Sequence, residues 1–593
     1  MTQNVLRPRI TPRSATALLT SGSLLALGGG AGVLGAGVLG AVLLASPAGA
    51  ATFTVANTNN TGIGSLALAI VEANASPGAD TIEFAPDVTG MINLITDLPD
   101  ITDSLTIRGP GSAALTISGN TLYHAFTIAT GGSGGVTISG LTIDGSDTTN
   151  TGGSVGGAIA VADTALTLDD VTLTNNRART TSGEASTEAF GGGLGVNNAP
   201  GTGDVVITNS VMTNNVAEGT SGSGPDGVPT GGGGAWITAD NITITNSTFS
   251  ENQASAGAGI FAIARESLTL NSLTVTNNNA TDIGGGLVAA GKNVAVSDSV
   301  VSGNQSPEGI VGGAYFGSYG GTASVTNTRI SDNTSAIVGG AFIVGFEEEF
   351  ASSLDRVTVT GNVATAPRDP STLYSSIGGV LLLGSAAISN STISDNTGTG
   401  IALGSGSWIT PVSAAGIQPM ASAPNISKVS ISNTTITGNS AEGIFAPTGD
   451  TGCGSVATAS SISVCASSLS PQAPAPRLVE LVLTHILAAD NGGEDVATPA
   501  FSLFSLIERP NAAVFPGYGT QFGVDPGLLP LETVNDTVSV VPISFGSAAW
   551  NAGWPGFTPP PATDQRGLPR VVDIIDIGAY EVQEAVLVPK FTG

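Results

Sequence analysis

The residues in this chain that could do chemistry are few and mostly acidic. Asp332 and Asp395 hold the same place in two copies of a recurring phrase, each one residue before an Asn. Paired carboxylates are the acid/base apparatus of glycoside hydrolysis, and an inverting pair stands about 6.5–9.5 Å apart. One further copy, with Gly361 at that place, lies between the two. Strands stacked at about 4.8 Å would put the carboxyls roughly 10 Å apart, at the edge of that range. An Asp before a turn Asn can equally serve the turn alone. Arg329 and Arg356, the latter beside Asp355, offer the base that a polysaccharide lyase needs near acidic Ca²⁺ ligands. They fall at different places in their copies, so they need not converge, and a surface ion pair of small energy is the alternative. The densest acidic run is Phe346-Glu-Glu-Glu-Phe350. Glu347, Glu348 and Glu349 could give oxygen ligands to Ca²⁺. The spacing of a dedicated Ca²⁺ loop is missing, so a solvated loop stands beside that reading, and no other cofactor is expected. His124 has no evident partner, and His485 stands where other copies carry a turn residue.

The phrase that places these residues recurs throughout the chain. Val205-Val-Ile-Thr-Asn-Ser-Val-Met-Thr-Asn-Asn215 and Ile242-Thr-Ile-Thr-Asn-Ser-Thr-Phe-Ser-Glu-Asn252 are clear copies. Each reads as strand, tight turn, strand, tight turn. The third position is apolar in every copy, and the fifth is often Asn or Asp. The eleventh is Asn at 176, 215, 252, 278, 304, 333, 362, 396, 439 and 491 (Asn176, Asn215, Asn252, Asn278, Asn304, Asn333, Asn362, Asn396, Asn439, Asn491). The steps from 252 to 278 and from 278 to 304 are both 26 residues, and the next two are both 29. A fixed period of this size marks a repeat architecture. Alternating β-branched and Ser/Thr residues favour strands. A second phrase, as in Gly285-Gly-Leu-Val288 and Gly312-Gly-Ala-Tyr315, supplies a third strand per copy.

Three strands and three turns in about 26 residues make one coil of a parallel β-helix. The general rule for parallel crossovers makes it right-handed. Sharp bends need residues that tolerate positive φ, which Asn, Asp and Gly do. Asn side chains stacked at strand spacing can also hydrogen-bond along the stack. The apolar third and eighth positions point inward.

Only 10% of the 593 residues are charged, 5% are aromatic and 83 are Gly, without the period of collagen. Arg7, Arg9 and Arg13 precede a Gly/Ala/Leu run from Ala15 to Ala45 and then Ala48-Gly-Ala50. Residues 1–50 therefore read as a secretory signal cleaved after Ala50, with an uncleaved anchor as the alternative. No later stretch is apolar enough to span a membrane. Three of the 17 basic residues and none of the 45 acidic ones lie in that segment, leaving 14 against 45, or −31. Such a charge argues against nucleic acid and anionic lipid as partners. Cys453 and Cys465 read as a local disulfide in an exported chain, with two free thiols as the alternative.

Residues 51–135 read as a cap and irregular first coils. They hold a strand, a short helix N-capped by Ser65, and a second strand. A helix laid across an open β-helix end covers both core and strand edges. The pattern Gly64-Ser-Leu-x-x-Ala-Ile-x-x-Ala-Asn-x-x-Pro-Gly-Ala-Asp-Thr-Ile82 resembles the N-terminal segment of bacterial exported β-helix proteins, including those with a CSLREA-type start. Ala67 stands where many relatives carry Arg. Gly156-Gly-Ala-Ile159 and Phe249-x-x-Asn252 are similar to units of polymorphic outer-membrane proteins. Regular coils are expected over 136–500, with insertions at 177–190, 216–231, 346–352, 363–377, 404–427 and 446–477.

Over 501–593 the pattern changes. Val524-Asp-Pro-Gly527, Gly546-Ser-Ala-Ala-Trp-Asn551, Asp564-Gln-Arg-Gly-Leu-Pro-Arg570 and Asp576-Ile-Gly-Ala-Tyr-Glu581 resemble the choice-of-anchor Q domain found at the C-terminal end of bacterial surface β-helices. Arg566, Arg570, Asp573, Asp576 and Glu581 read as ion pairs and turns that close the stack, and the resemblance implies no chemistry for them. The fold is shared with pectate-lyase-like and polygalacturonase-like enzymes, but the Gly-His-Gly and Arg-Ile-Lys of the latter are absent. The expected role is a secreted or cell-surface adhesin or scaffold, with a polysaccharide lyase or hydrolase as the rival. Its glycan or protein partner is expected at inserted loops, where Phe346, Phe350, Tyr374 and Trp408 stand. The coil surface, including Thr358, is expected to be a solvated flat sheet.

Overall fold

A computed structural model describes residues 49–132, 134–150, 154–180, 189–219, 230–345, 352–367, 376–404, 426–446, 478–558 and 561–583. Among them one helix, Leu66–Ala75, stands against 49 strands. Ser65 caps that helix through Oγ, which accepts from Leu68 N. Its buried face, Leu66, Ala67, Ala69, Ile70 and Ala73, joins the core at the N-terminal end of the stack. This satisfies the exposed helix donors and shields the first coil's core from water.

The coils stack in register as a parallel β-helix. Val205 pairs with Ile242, Ile242 with Leu268 and Leu268 with Val294, each in a parallel ladder. The third-position residues Leu168, Ile207, Ile244, Leu270 and Val296 are buried in one column, as are Met212, Phe249, Val275 and Val301 from the eighth position. Alternation of period two makes this unavoidable once one face of each strand is inside.

Each coil has four sides where the sequence reading supplied three. A short strand follows the ladder Asn, as in Arg177–Thr180, Val216–Glu218, Gln253–Ala256 and Thr334–Ser335. Together these make an eight-stranded sheet of their own. The segments read as insertions at 177, 216 and 363 therefore begin with a strand. The strands are only two to five residues long and carry no clear alternation, so periodicity alone misses them.

The turns divide their labour. Fifth-position residues such as Asn209 (φ 50), Asn246 (φ 49) and Asp298 (φ 51) are left-handed, and so are tenth-position residues such as Asn175 (φ 55) and Asn214 (φ 56). The eleventh-position Asn is not left-handed and instead forms the ladder. Asn252 Nδ2 donates to Asn278 Oδ1 at 2.9 Å, Asn278 to Asn304 at 2.9 Å, and Asn304 to Asn333 at 3.0 Å. The same oxygen accepts the backbone N–H of the preceding coil's Asn. The paired glycines pass close to this ladder. A Cβ on Gly286 would sit 2.8 Å from Asn304 Nδ2, which explains the Gly-Gly phrase.

A second apolar layer lies outside the coil. Trp236, Phe261, Tyr315 and Phe342 point outward from the strands that follow the paired glycines and are buried among Phe190, Ile283, Ile310 and Val338. Phe190 and Trp236 stand 4.6 Å apart, and Tyr315 meets Phe342 edge-on at 5.3 Å. These rings hold the post-ladder segments down against the stack.

Parallel pairing continues past residue 500 through Ala500–Leu503, Leu506–Ile507, Val514–Pro516 and Gln521–Phe522. The chain then leaves the stack. Residues 524–583 turn back along the flank that carries the second strand of each coil. Among the described residues of this stretch the one strand pair is Glu532–Thr533 with Ser539–Val540.

Candidate functional site

That returning segment decides which coil residues are available. Thr358 is completely buried, not solvated. Its Oγ1 donates to Ser539 O at 2.9 Å and accepts from Ser539 N and Gln565 Nε2. One coil on, Thr392 donates to Gln565 Oε1 at 2.6 Å, and on the next, Thr435 Oγ1 accepts from Ala579 N. Thr537 reaches back to Asn327. The flank is thus occupied by the protein's own chain from Asn327 onward. On earlier coils the equivalent Thr172, Thr248 and Thr274 remain partly or fully exposed. The coil-face hydroxyls of Thr358, Thr392 and Thr435 that looked like a free polar surface are hydrogen-bonding sites for residues 181, 173 and 144 positions downstream.

The sequence-proposed catalytic residues occupy three different places in the repeat, the fifth, the seventh and the tenth. Asp332 (φ 58) and Asp395 (φ 56) are exposed tenth-position turn residues with the Gly361 coil between them. Their type follows from the left-handed backbone they occupy. Arg329 lies on the strand Arg329–Ser331 and Arg356 in a fifth-position turn at φ 54. Arg356 pairs with its own neighbour Asp355 at 3.3 Å, both partly exposed. Glu347, Glu348, Glu349, Phe346, Phe350, Tyr374, Trp408, Cys453 and Cys465 lie outside the described residues. Among the described residues no group of three His, Cys, Asp or Glu side chains could hold a metal. The ladder runs as one hydrogen-bonded series from Asn176 to Asn491. It ends on Asp495, whose Oδ1 accepts from Asn491 Nδ2 at 2.8 Å. A carboxylate cannot donate onward, so it fits only at the terminus of such a series.

The returning segment has almost no regular structure, and carboxylates satisfy its backbone. Asp564, Asp576 and Glu581 are all buried. Asp564 accepts from the N–H groups of Arg566, Leu568 and Glu581. Asp576 accepts from Asn551 N and Val582 N, each at 2.6 Å, and Glu581 from Val572 N and Asp576 N. Arg566 pairs with Asp564 at 2.6 Å and lies 3.7 Å over the Tyr580 ring. Arg570 is completely buried and donates to Gly578 O. Burial pushes it down to about 10, against the pull of Glu581, Asp564 and Asp576. Burial, and then the Asp576 carboxylate, push Glu581 up to about 8. Asp573, grouped with these by sequence, is exposed at φ 73.

His485 joins coil and segment. It occupies the fifth position at φ 53 and is buried. Burial, aided by the charge of Arg570, lowers it to about 4, so it is neutral near pH 7. Its Nε2 accepts from Trp554 N at 3.1 Å, so the proton is on Nδ1, which donates to Asn433 Oδ1 at 3.2 Å. Around it stand Phe504, Tyr518, Trp554 and Phe557. Phe504 meets Tyr518 edge-on at 5.4 Å and stacks with Trp554 at 6.3 Å, and Phe557 meets His485 at 5.3 Å. Tyr518 is 79% exposed and Trp554 49%. Sequence reasoning sought exposed rings in the inserted loops and missed this group, since its members come from the last coils and from the returning segment. A Phe in the fifth-position column was the available signal.

The family model for the right-handed β-helix region matches residues 228–410. The coil is accordingly a right-handed parallel β-helix. No curated protein matches the chain. Among solved structures, the periplasmic alginate epimerase AlgG is similar at 10% identity and a TM-score of 0.39, over 74% of this chain and 85% of that one. The pectate lyase Pel9A is similar at 12% identity and a TM-score of 0.29, over 90% and 96%. At those scores neither likeness bears on what this chain binds or does.

Proposed function

We propose that this protein is an exported or cell-surface β-helix scaffold that binds a glycan or protein partner without transforming it. The observation that carries the reading is the occupied flank. Where a polymer could lie along Thr358, Thr392 and Thr435, the chain's own residues 539, 565 and 579 are hydrogen-bonded instead. Support also comes from the scattered charge on the coils, where Asp332, Asp395 and Arg356 serve turns and a local pair. Export rests on Arg7 to Ala50, of which residues 1–48 lie outside the described ones. Among the described residues no helix is long and apolar enough to cross a membrane.

The test is a glycan array together with assays for new reducing ends and unsaturated uronates on the mature chain, with and without Ca²⁺. Binding without turnover is the expected result. Turnover that disappears in Asp332→Asn or Asp395→Asn overturns the reading in favour of a polysaccharide lyase or hydrolase.

A further inference from the structure

We infer that Phe504, Tyr518 and Trp554, at the C-terminal end of the coil, form a platform for a neutral glycan chain; the inference rests on the scaffold reading and names the site and ligand class. Only 28 of the 593 residues are aromatic (18 Phe, 4 Trp, 6 Tyr). Most described rings elsewhere on the coil are buried, as Trp236, Phe261, Tyr315 and Phe342 are. Here Tyr518 and Trp554 are 79% and 49% exposed, and Phe501 and Phe515, paired in register on the adjoining side, are 48% and 65% exposed.

The platform is built rather than incidental. Phe504 sits at φ 45, a conformation that a bulky side chain pays for in strain and that the fifth-position column elsewhere gives mostly to Asn and Asp. The next coil leaves room for its ring. A Cβ on Gly519 would lie 2.4 Å from Phe504 Cδ1. On the other side the backbone that carries Trp554 is fixed by Trp554 N donating to the buried His485. His485 is therefore a positioning residue, and the rings on either side of Phe504 are held 5.4 and 6.3 Å from it. Strain and buried polar support directed at exposed rings are the marks of a preorganised binding surface.

The ligand class follows from shape and charge. Rings at 66° and 29° to Phe504 offer successive tilted faces, suited to the C–H faces of consecutive sugar rings in a twisting chain. Arg566 lies over the Tyr580 ring, which is not one of the platform's three. The chain as a whole carries −28. An acidic polysaccharide would meet repulsion, and the Arg570 guanidinium near His485 is completely buried, whereas a neutral chain meets no repulsion.

The experiment uses the full mature chain, with neutral hexasaccharides of β-glucan, mannan and N-acetylglucosamine as probes and oligogalacturonate for comparison. Calorimetry and tryptophan fluorescence read the binding. At least one neutral series should bind at least tenfold more tightly than oligogalacturonate. Tyr518→Ala and Trp554→Ala should each weaken that binding tenfold or more with an unchanged melting transition, and Trp554→Phe should keep most of it. Tyr518 is so exposed that its loss cannot be mistaken for unfolding. Neutral-glycan binding that survives both alanine variants overturns the site and leaves the scaffold reading intact. Absence of neutral-glycan binding, tighter binding of oligogalacturonate, or a dimer that dissociates in the same variants overturns the ligand class. Turnover of any probe overturns the scaffold reading itself.

Discussion

Asn278 in the coil and Asp576 in the returning segment are both buried, and both satisfy backbone donors, but they do so differently. Asn278 Oδ1 accepts the N–H and the side-chain amide of Asn252, while its own amide donates to Phe249 O and Asn304 Oδ1. The rungs from Asn215 to Asn439 repeat that arrangement with a neutral group. Asp576 instead holds two unrelated N–H groups from Asn551 and Val582, beside Glu581, Arg566 and Arg570. A repeat can neutralise its buried polar groups by copying them. A segment without a repeat needs stronger and individually placed acceptors, and charge-assisted bonds supply them. The coils between Asn215 and Asn362 should therefore respond little to pH and gradually to mutation, and the segment sharply to both.

Removing Arg570 should give the largest effect. Arg570→Met removes one of the two guanidinium charges near the buried Asp564, Asp576 and Glu581, together with the donor to Gly578 O, at a cost of about 3–5 kcal/mol to docking of the segment. Hydrogen exchange should show 524–583 losing protection while the ladder between Asn215 and Asn362 keeps it. Loss of protection in both at once would break the distinction between the two regions.

Titration comes next. His485 is lowered to about 4 from 6.5, so between those values the unfolded state binds more protons. Its contribution is present above about pH 6.5 and lost as pH falls through 4, roughly 3 kcal/mol in all. Glu581 is raised to about 8 from 4.5, so the folded state binds the extra proton between them. Its contribution is full below about pH 4.5 and lost as pH rises through 8. Exchange protection of 524–583 should peak between these limits and fall on both sides. His485→Asn should flatten the acid limb and Glu581→Gln the alkaline one, while coil protection stays level.

Within the ladder, Asn304→Ala should cost about 2–3 kcal/mol in chemical denaturation, because the N–H and amide of Asn278 and the Val275 carbonyl lose their partner. Asp495→Asn, at the terminus, keeps an acceptor for Asn491 but loses the one that Oδ2 gives Arg509 N, so it should cost about 1 kcal/mol, less than the interior change. Equal effects from these two would mean that position in the series does not matter. The smallest effect is expected from deleting 405–425. The flanking strands Ile401–Gly404 and Ile426–Ser432 each pair with their own neighbouring coils, so the coil's melting transition should stay within about 1 °C, as solenoid stability is roughly a sum of neighbouring-coil terms.

The sequence by itself determined the coil. Its register, its inward columns of Ile, Leu and Val, the Asn at its turns and the Ser65-capped helix are all legible, because each coil residue's surroundings are its own copies one period away. Even there the short fourth strands were hidden, being too short for a periodic signal, and the outer rings, though they recur at one place after the paired glycines, did not show what would cover them. Only the tertiary structure decided that Thr358 is buried, that Asp332 and Asp395 serve turns, that the segment after Phe522 lies along the flank, and that Phe504 and Trp554 meet around His485. The physical reason is range. Thr358 and Ser539 are 181 residues apart, and Asn327 and Thr537 are 210 apart. The partners of such contacts follow no period, and whether a Thr on a flat face is wet or covered depends on a segment whose own pattern does not say where it will lie.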